Sequence, residues 1–392
     1  MSMVPTKQEL ADFFNENREI ITLPIHVDKG SEVFQGLFSR WDDYTELVHS
    51  VPWLSSKISQ NIDNSVDCIK KAINCYFSGD TDAANREIRS IMDSFKCSEN
   101  SYLITKLQDL YIKDLNIDGE YKEWYRARLG DMRPFSREDM YHISYSNRAK
   151  IKNQRYSING IPCLYLGKSI YACWEELKRP SLDSLWVSRY EPSDIMDMSI
   201  LNLSVTAGDI INNYVINEKL FPYNACIDSF FSAWILQSTC SVVVDDNGNR
   251  TFREEYVIPQ LLMQNIKDEG LGGILYFSNQ LNNAYSSGAS WILKNLAVPA
   301  FDFKDCDNGY SNKILDDFRI SYPLNVGMYE RNVLGQRPKI IPSKTNLART
   351  SAPLNISGAY NTCYSNTPFY RCEIELTRSL YYDDANNEKN NK

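Results

Sequence analysis

The sequence predicts an α+β protein in which an all-α region precedes a region built on a mixed sheet. Two observations support this fold class. Between residues 7 and 115, apolar residues recur at intervals of three and four, which is typical of amphipathic helices. Beyond about Glu120, short apolar runs are separated by Gly, Pro, Asn and Asp, which is typical of strands joined by turns.

Three apolar stripes predict the N-terminal helices. The stripes contain Val66, Ile69, Ile73 and Phe77; then Ala84, Ile88, Ile91, Met92 and Phe95; then Leu103, Leu107, Leu110 and Tyr111. Gly79 ends the first helix, and Asp80 or Thr81 can cap the second. We therefore expect residues 1–118 to form a helical bundle.

The second region, residues 119–305, is predicted to alternate strands with a helix. Strands are expected at 123–128, 161–166, 199–203, 240–244 and 272–278, with a turn at 245–249. A helix is expected at 256–270, because Pro259 suits a first turn and Gly270 suits a helix end. Residues 306–392 form a C-terminal extension, with strands predicted at 321–326 and 369–376 and a disordered tail over the last dozen residues.

Composition excludes several classes of function. The formal net charge of −8 argues against general binding to nucleic acid, because phosphate contacts need concentrated Lys and Arg. The ten cysteines form no CxxC pair and only three histidines are present, which argues against a zinc site and favours free thiols. The N-terminus lacks signal-peptide features, and no apolar run approaches the length of a membrane span, so we expect a cytoplasmic protein without membrane contact.

Familiar catalytic motifs do not occur in the sequence. It contains no phosphate-binding P-loop, no GxGxxG after a strand and no GxSxG. None of the three histidines has a setting that suggests nucleophilic catalysis. Any chemistry is therefore expected to depend on Arg, Tyr, Glu and hydroxyl groups.

A longer pattern resembles the RES domain, a family named for its Arg, Glu and Ser. In RYSINGIPCLYLGKSIYACWEEL, the positions of the family pattern are filled by Arg155, Gly160, Pro162, Leu164, Tyr165, Ser169 and Glu176. The segment YRAR resembles the opening strand of the family and supplies Arg126. The segment YVIPQLLMQNIKDEGLGGILYFS resembles the family's later helix and strand and supplies Ser278. The chain departs from the family in having Gln154, rather than Gly, before Arg155.

The resemblance implies a fold similar to ADP-ribosyltransferases and NAD as the substrate, with no separate cofactor. It implies cleavage of the nicotinamide–ribose bond by hydrolysis or phosphorolysis, as in toxins of toxin–antitoxin or defence systems. It also implies a HEPN-type helical domain at the N-terminus. A protein ADP-ribosyltransferase with the same site is the alternative. An antitoxin or regulatory partner and homo-oligomerisation are compatible with either activity.

Each candidate site residue has a side chain suited to one part of the NAD molecule. A carboxylate stabilises an oxocarbenium-like ribose, which suits Glu176. A guanidinium binds pyrophosphate oxygens in pairs, which suits Arg126 and Arg155. Tyr165 could stack on a base, and Ser278 could hydrogen-bond the ribose or carboxamide.

Several alternatives stay open at this point. Glu175 lies about 100° around the helix from Glu176, so it is expected to face solvent or form a salt bridge. Arg128 shares a strand face with Arg126, and either could face the site. The serines at 286, 287 and 290 compete with Ser278. Finally, Arg137 and His142 match the Arg–x–His spacing of HEPN ribonucleases, although they lie outside the helical region.

Overall fold

The structure is a computed structural model, and it describes residues 5–28, 32–96, 103–108, 123–130, 133–213, 223–244, 250–279, 290–303, 309–333, 353–356 and 360–390. The helices are α1 (Lys7–Glu16), α2 (Arg18–Ile21), α3 (Val33–Ser50), α4 (Ser56–Phe77), α5 (Thr81–Lys96), α6 (Ile170–Glu176), α7 (Ala207–Asn213), α8 (Tyr223–Cys240), α9 (Val257–Asn265), α10 (Asn312–Asp317), α11 (Val326–Val333) and α12 (Pro368–Asn390).

The strands are β1 (His26–Val27), β2 (Ile104–Lys106), β3 (Trp124–Leu129), β4 (Cys163–Gly167), β5 (Leu185–Pro192), β6 (Ser199–Leu203), β7 (Val243–Val244), β8 (Gly273–Phe277), β9 (Lys294–Pro299), β10 (Phe318–Ile320), β11 (Leu324–Asn325), β12 (Pro353–Ile356) and β13 (Tyr360–Cys363). Helices before residue 97 and the later strands confirm the predicted α+β class with a helical N-terminal region.

The chain divides into two compact units that interleave along the sequence. The first contains residues 1–114, 152–159 and 198–287, and the second contains 115–151, 160–197 and 288–392. This grouping differs from the chain-order boundaries predicted at 118 and 305. The reason is that helices and strands from 198–287 pack within the first unit against the N-terminal helices.

The core of the first unit forms where α3 meets α8. The rings of Tyr44 and Trp234 stack with centroids 3.9 Å apart. Trp41 donates its indole N–H to the Ser238 hydroxyl at 2.8 Å, and Tyr44 donates its hydroxyl to the Phe231 carbonyl at 2.9 Å. These polar partners allow large aromatic side chains to be fully buried without unsatisfied groups.

Helix α8 corrects the predicted strand at 240–244. Cys240 ends this helix, and only Val243 and Val244 form a strand, which pairs in parallel with β1. The helix is apolar around most of its circumference, so it shows no amphipathic stripe that would predict it. The turn predicted at 245–249 lies outside the described residues.

The third predicted N-terminal stripe is also corrected. Residues 104–106 form β2, which pairs antiparallel with β6, and β6 pairs in parallel with β8. Leu103 and Leu107 are both buried, and a spacing of four residues places side chains on one face of a strand as well as of a helix. The same spacing therefore has two structural explanations. Leu110 and Tyr111 lie outside the described residues.

The second unit contains an antiparallel sheet. Its strands follow the order β10, β5, β3, β4, β9, and β11 pairs antiparallel with β5. The predicted strands at 123–128 and 161–166 correspond to β3 and β4, and Leu324 and Asn325 of the predicted strand at 321–326 form β11. This sheet supports helix α6, on which Glu176 lies.

The predicted strand at 369–376 is wrong, because residues 368–390 form helix α12. Phe369, Cys372, Glu373 and Leu376 are all buried. Their spacing of three and four residues is the period of a helix, whereas a strand would bury alternate residues. None of the helices within the described residues is both long and apolar enough to cross a membrane.

Candidate functional site

A tight corner joins strand β4 to helix α6. Gly167 ends the strand, and a Cβ atom there would lie 2.7 Å from the Cys173 sulfur, so only glycine allows this close packing. Ser169 is the N-cap of α6 and accepts from the Ala172 amide at 3.0 Å. Its hydroxyl donates to the Ile292 carbonyl at 2.7 Å. The corner thus fixes the direction in which α6 leaves the sheet.

Cys173 anchors the middle of α6 to the sheet. Its thiol donates to the Tyr125 carbonyl at 3.2 Å. Burial raises the pKa of Cys173 to about 12, so the thiol remains protonated at neutral pH. Cys173 is therefore a packing residue of α6 rather than a nucleophile.

Glu176 is the last residue of α6, and its side chain is exposed. Oε1 of Glu176 accepts a hydrogen bond from Nδ2 of Asn295 at 2.7 Å. Asn295 lies on β9, opposite Gly167 of β4, and is buried. An amide donor orients a carboxylate without neutralising its charge. The sheet thus holds Glu176 in place while leaving the residue accessible to solvent.

Glu175 has the opposite environment. It is only 3% exposed, and its Oε2 accepts from Nε of Arg179 at 2.8 Å. Of the two environments expected for Glu175, the structure has the salt bridge. Lys178 and Arg179 follow α6 in the left-handed region, with φ of 63° and 56°. Such backbone is uncommon for residues other than glycine, and it brings Arg179 back to Glu175.

Arg126 lies where two strands separate. Strands β3 and β4 share one residue pair among the described residues, Tyr125 with Gly167, whereas β3 pairs with β5 over its whole length. The Arg126 guanidinium donates to the carbonyl of Tyr165 at 3.3 Å. Arg126 thus contacts β4 through its side chain, and its buried Nε finds no hydrogen-bond partner in the described part of the chain.

Arg128 contacts a different segment from Arg126. Its guanidinium donates to the carbonyl of Asp139. Of the two arginines on this strand face, Arg126 is therefore the one that contacts the strand of Tyr165. The second unit thus contains two separate contacts, Arg126 with the carbonyl of the half-buried Tyr165 and Asn295 with Glu176. They are linked through the β4–β9 pairing, in which Asn295 is opposite Gly167, two residues after Tyr165.

Arg155 and Ser278 belong to the first unit and are described there by themselves. The terminal nitrogens of Arg155 donate to the carbonyls of Cys240 at 2.9 Å and Val242 at 2.8 Å. Its guanidinium also lies over the Tyr256 ring, 4.9 Å from the centroid. Arg155 therefore clamps the end of α8 and the start of β7. Ser278 directly follows β8 and is fully buried.

The Arg137–His142 pair has none of the features of a ribonuclease site. His142 is 2% exposed, and its Nε2 accepts from the Ser311 amide at 2.9 Å. Its Nδ1 is 2.8 Å from the Ile143 carbonyl, so Nδ1 carries the proton and the ring is neutral. Burial lowers the pKa of His142 and favours this neutral form. Arg137 instead lies over the Tyr322 ring at 4.0 Å.

Sequence reasoning missed Asn295. This residue lies within an apolar run, WILKNLAVPA, that forms a buried strand. A buried amide side chain requires hydrogen-bond partners, so an Asn in such a run is a signal for a polar partner elsewhere in the fold. The signal identifies neither the partner nor its role, because Glu176 is 119 residues away in the chain.

Comparison with known proteins finds one informative similarity. No family model matches the chain, and no solved structure matches it significantly. The chain is similar to a Bacillus subtilis (strain 168) protein named "Putative toxin YopC", with 29% identity over 338 residues, which cover 83% of this chain and 72% of the relative. The similarity is thus to a protein named as a toxin, while the resemblance to the RES domain depends on the sequence motifs alone.

Proposed function

We propose that the chain is a toxin that consumes NAD by cleaving its nicotinamide–ribose bond, with Glu176 as the working carboxylate. The observation that carries the proposal is an exposed carboxylate at the end of α6 that the Asn295 amide orients. The motif resemblance gives the substrate, and the similarity to "Putative toxin YopC" supports the toxin role. A toxin of this kind implies a neutralising partner protein.

The chemistry follows from the charge that develops on the ribose. Loss of nicotinamide leaves an oxocarbenium-like carbon, and a nearby carboxylate stabilises it and orients the incoming nucleophile. Water or phosphate attacks that carbon, and nicotinamide leaves with the bonding electron pair. The Asn295 amide can orient this carboxylate by donating a hydrogen bond to it.

Arg126 is the proposed partner of the pyrophosphate. Within the described residues its guanidinium donates to the Tyr165 carbonyl, while its buried Nε has no hydrogen-bond partner there. Anionic oxygens are the acceptors that a guanidinium binds most strongly. Arg155 is a weaker candidate than Arg126, because both of its terminal nitrogens already bind backbone carbonyls.

The test is to incubate the full chain with NAD and to measure free nicotinamide with and without phosphate. We expect Glu176→Gln to lower turnover by about 10²-fold or more, the usual scale for loss of transition-state charge stabilisation. Glu175→Gln is the matched control at the adjacent position. It removes an ion pair whose arginine is half exposed, so turnover should stay within about threefold of wild type.

The possible results distinguish an error in the proposed activity from an error in the proposed site. Absence of nicotinamide release by the wild-type chain would contradict the enzyme proposal, and equal activity of Glu176→Gln and wild type would contradict the site. Transfer of label from the adenylate half of NAD onto a protein would show that the acceptor is a side chain, which defines a transferase. Thermal unfolding of each variant shows that the comparison is between folded proteins.

A further inference from the structure

The helix on which Glu176 lies receives part of its N-terminal cap from the C-terminal helix α12. Oε1 of Glu373 accepts a hydrogen bond from the Ile170 amide at 2.8 Å, and Glu373 is 3% exposed. Ile170 is the first residue of α6, so its N–H has no acceptor within the helix. Ser169 satisfies a second amide of the same turn, that of Ala172. One short helix is thus capped by two segments that are far apart in sequence.

The Glu373 carboxylate is itself held in place. The Tyr364 hydroxyl donates to the same Oε1 at 2.5 Å, and Tyr364 is fully buried. A carboxylate at the N-terminal end of a helix also interacts favourably with the helix dipole. The two donors fix the oxygen that meets the Ile170 amide, so the cap has a defined geometry.

Helix α12 also packs along the side of α6. The ring of Phe369, one turn before Glu373, lies 5.2 Å from the Trp174 ring and 5.8 Å from the Tyr171 ring, measured between centroids. Arg371 anchors α12 to α11 through a paired contact with Glu330, at 2.9 and 2.5 Å. The contacts of α12 with α6 are therefore part of an anchored structure.

We propose that Glu373 is a positioning residue for the proposed reaction, acting through the Ile170 amide to fix α6 and thereby the carboxylate of Glu176. The inference rests on the proposed function, because it concerns the same site. A helix of seven residues is not stable by itself, so the contacts of its first turn decide its direction. Glu176 lies at the opposite end, where a small rotation of the helix displaces the side chain most.

The experiment compares Glu373→Ala, Glu373→Gln and wild type, with Glu375→Gln as control. Hydrogen–deuterium exchange of residues 169–177 measures the restraint on α6, and steady-state kinetics measures its consequence. We expect Glu373→Ala to exchange faster in α6 and to lose about tenfold in kcat while KM changes less than about twofold, because displacement of a catalytic group lowers the rate more than ground-state binding. Glu373→Gln retains an acceptor oxygen and should recover most of kcat.

Glu375 is the control because it lies on the same helix, is partly exposed and forms an ion pair with Arg378 at 3.8 Å. Its variant should match wild type in exchange and kinetics. Should Glu373→Ala fail to fold, Tyr364→Phe gives a milder loss of the same cap, with the same direction expected for exchange and kcat.

Unchanged exchange of α6 in Glu373→Ala overturns the proposal, and so does faster exchange with unchanged kcat. An equal loss of kcat in Glu375→Gln overturns it as well. If wild type releases no nicotinamide, the proposed function fails, and the exchange measurement alone then decides whether Glu373 restrains α6.

Discussion

Two adjacent glutamates at the end of α6 differ in almost every physical respect. Glu175 is buried and forms an ion pair with Arg179. Glu176 is exposed and is oriented by the Asn295 amide. Successive helical residues point about 100° apart, so the helix directs only one of the pair towards the strand on which Asn295 lies. The different environments of the two glutamates were predictable, whereas the orienting amide was not.

Asn295→Asp tests whether the environment of Glu176 matters to its ionisation. The change places a second carboxylate at the position of an amide that lies 2.7 Å from Glu176. Like charges at this distance raise the pKa of the pair, so less of Glu176 is ionised at a given pH. We expect the acid limb of the pH–rate profile for nicotinamide release to move to higher pH by about one unit or more.

The exposed Asn153 provides the matched control, since Asn153→Asp makes the same chemical change at a residue that takes no part in the hydrogen bond between Asn295 and Glu176, and it should leave the profile in place. An acid limb that does not move in Asn295→Asp would mean that the ionisation of Glu176 does not control the rate.

At the scale of elements, the corner between β4 and α6 depends on the absence of a side chain at Gly167. A Cβ atom there would lie 2.7 Å from the Cys173 sulfur and 3.1 Å from the Ser169 carbonyl oxygen. We expect Gly167→Ala to lower the free energy of unfolding by about 1–3 kcal/mol, the usual cost of overpacking. Urea unfolding measures this loss.

Gly36 is the control for that substitution. It lies inside α3, and a Cβ atom there would have no neighbour within 4 Å. Gly36→Ala should therefore raise the free energy of unfolding by up to about 1 kcal/mol through better helix propensity. Equal effects of the two changes would show that the corner tolerates a side chain.

The elements also show where pattern reasoning succeeds. Strands β3, β4, β6 and β8 and helix α9 were predicted because each has a local pattern bounded by turn or capping residues. The errors fall on two kinds of segment. In the first, the spacing of apolar residues fits both a helix and a strand, as for Leu103 and Leu107 on either side of β2. In the second, polar residues among the buried positions hide the helical period, as in α12. Packing partners decide between such alternatives.

At the scale of the whole molecule, the N-terminal helices bury their apolar side chains against residues far along the chain. Trp41 and Tyr44 of α3 are fully buried, and they contact α8 through Ser238, Trp234 and Phe231. Arg155 further ties the segment 152–159 to the end of α8. The first unit is therefore built from three separate stretches of sequence.

A fragment of residues 1–118 tests this dependence. Without α8, the aromatic face of α3 loses its cover, and exposed apolar surface of this kind prevents a well-packed core. We expect the fragment to unfold without a cooperative transition and to bind a hydrophobic dye, while the full chain unfolds cooperatively. A sharp urea transition of the fragment would indicate an independent N-terminal domain, as the sequence predicted.

The sequence by itself determined the α+β class, the strand and helix on which Tyr165 and Glu176 lie, and the different directions of the two adjacent glutamates, because all of these follow from patterns within a few residues. Only the tertiary structure decided that Asn295 orients Glu176, that Glu373 caps α6 and that the first unit is discontinuous. Asn295 and Glu176 are 119 positions apart in the chain, and Glu373 and Ile170 are 203 positions apart. Hydrogen bonds and packing over such separations depend on how the elements meet in space, which local periodicity does not encode.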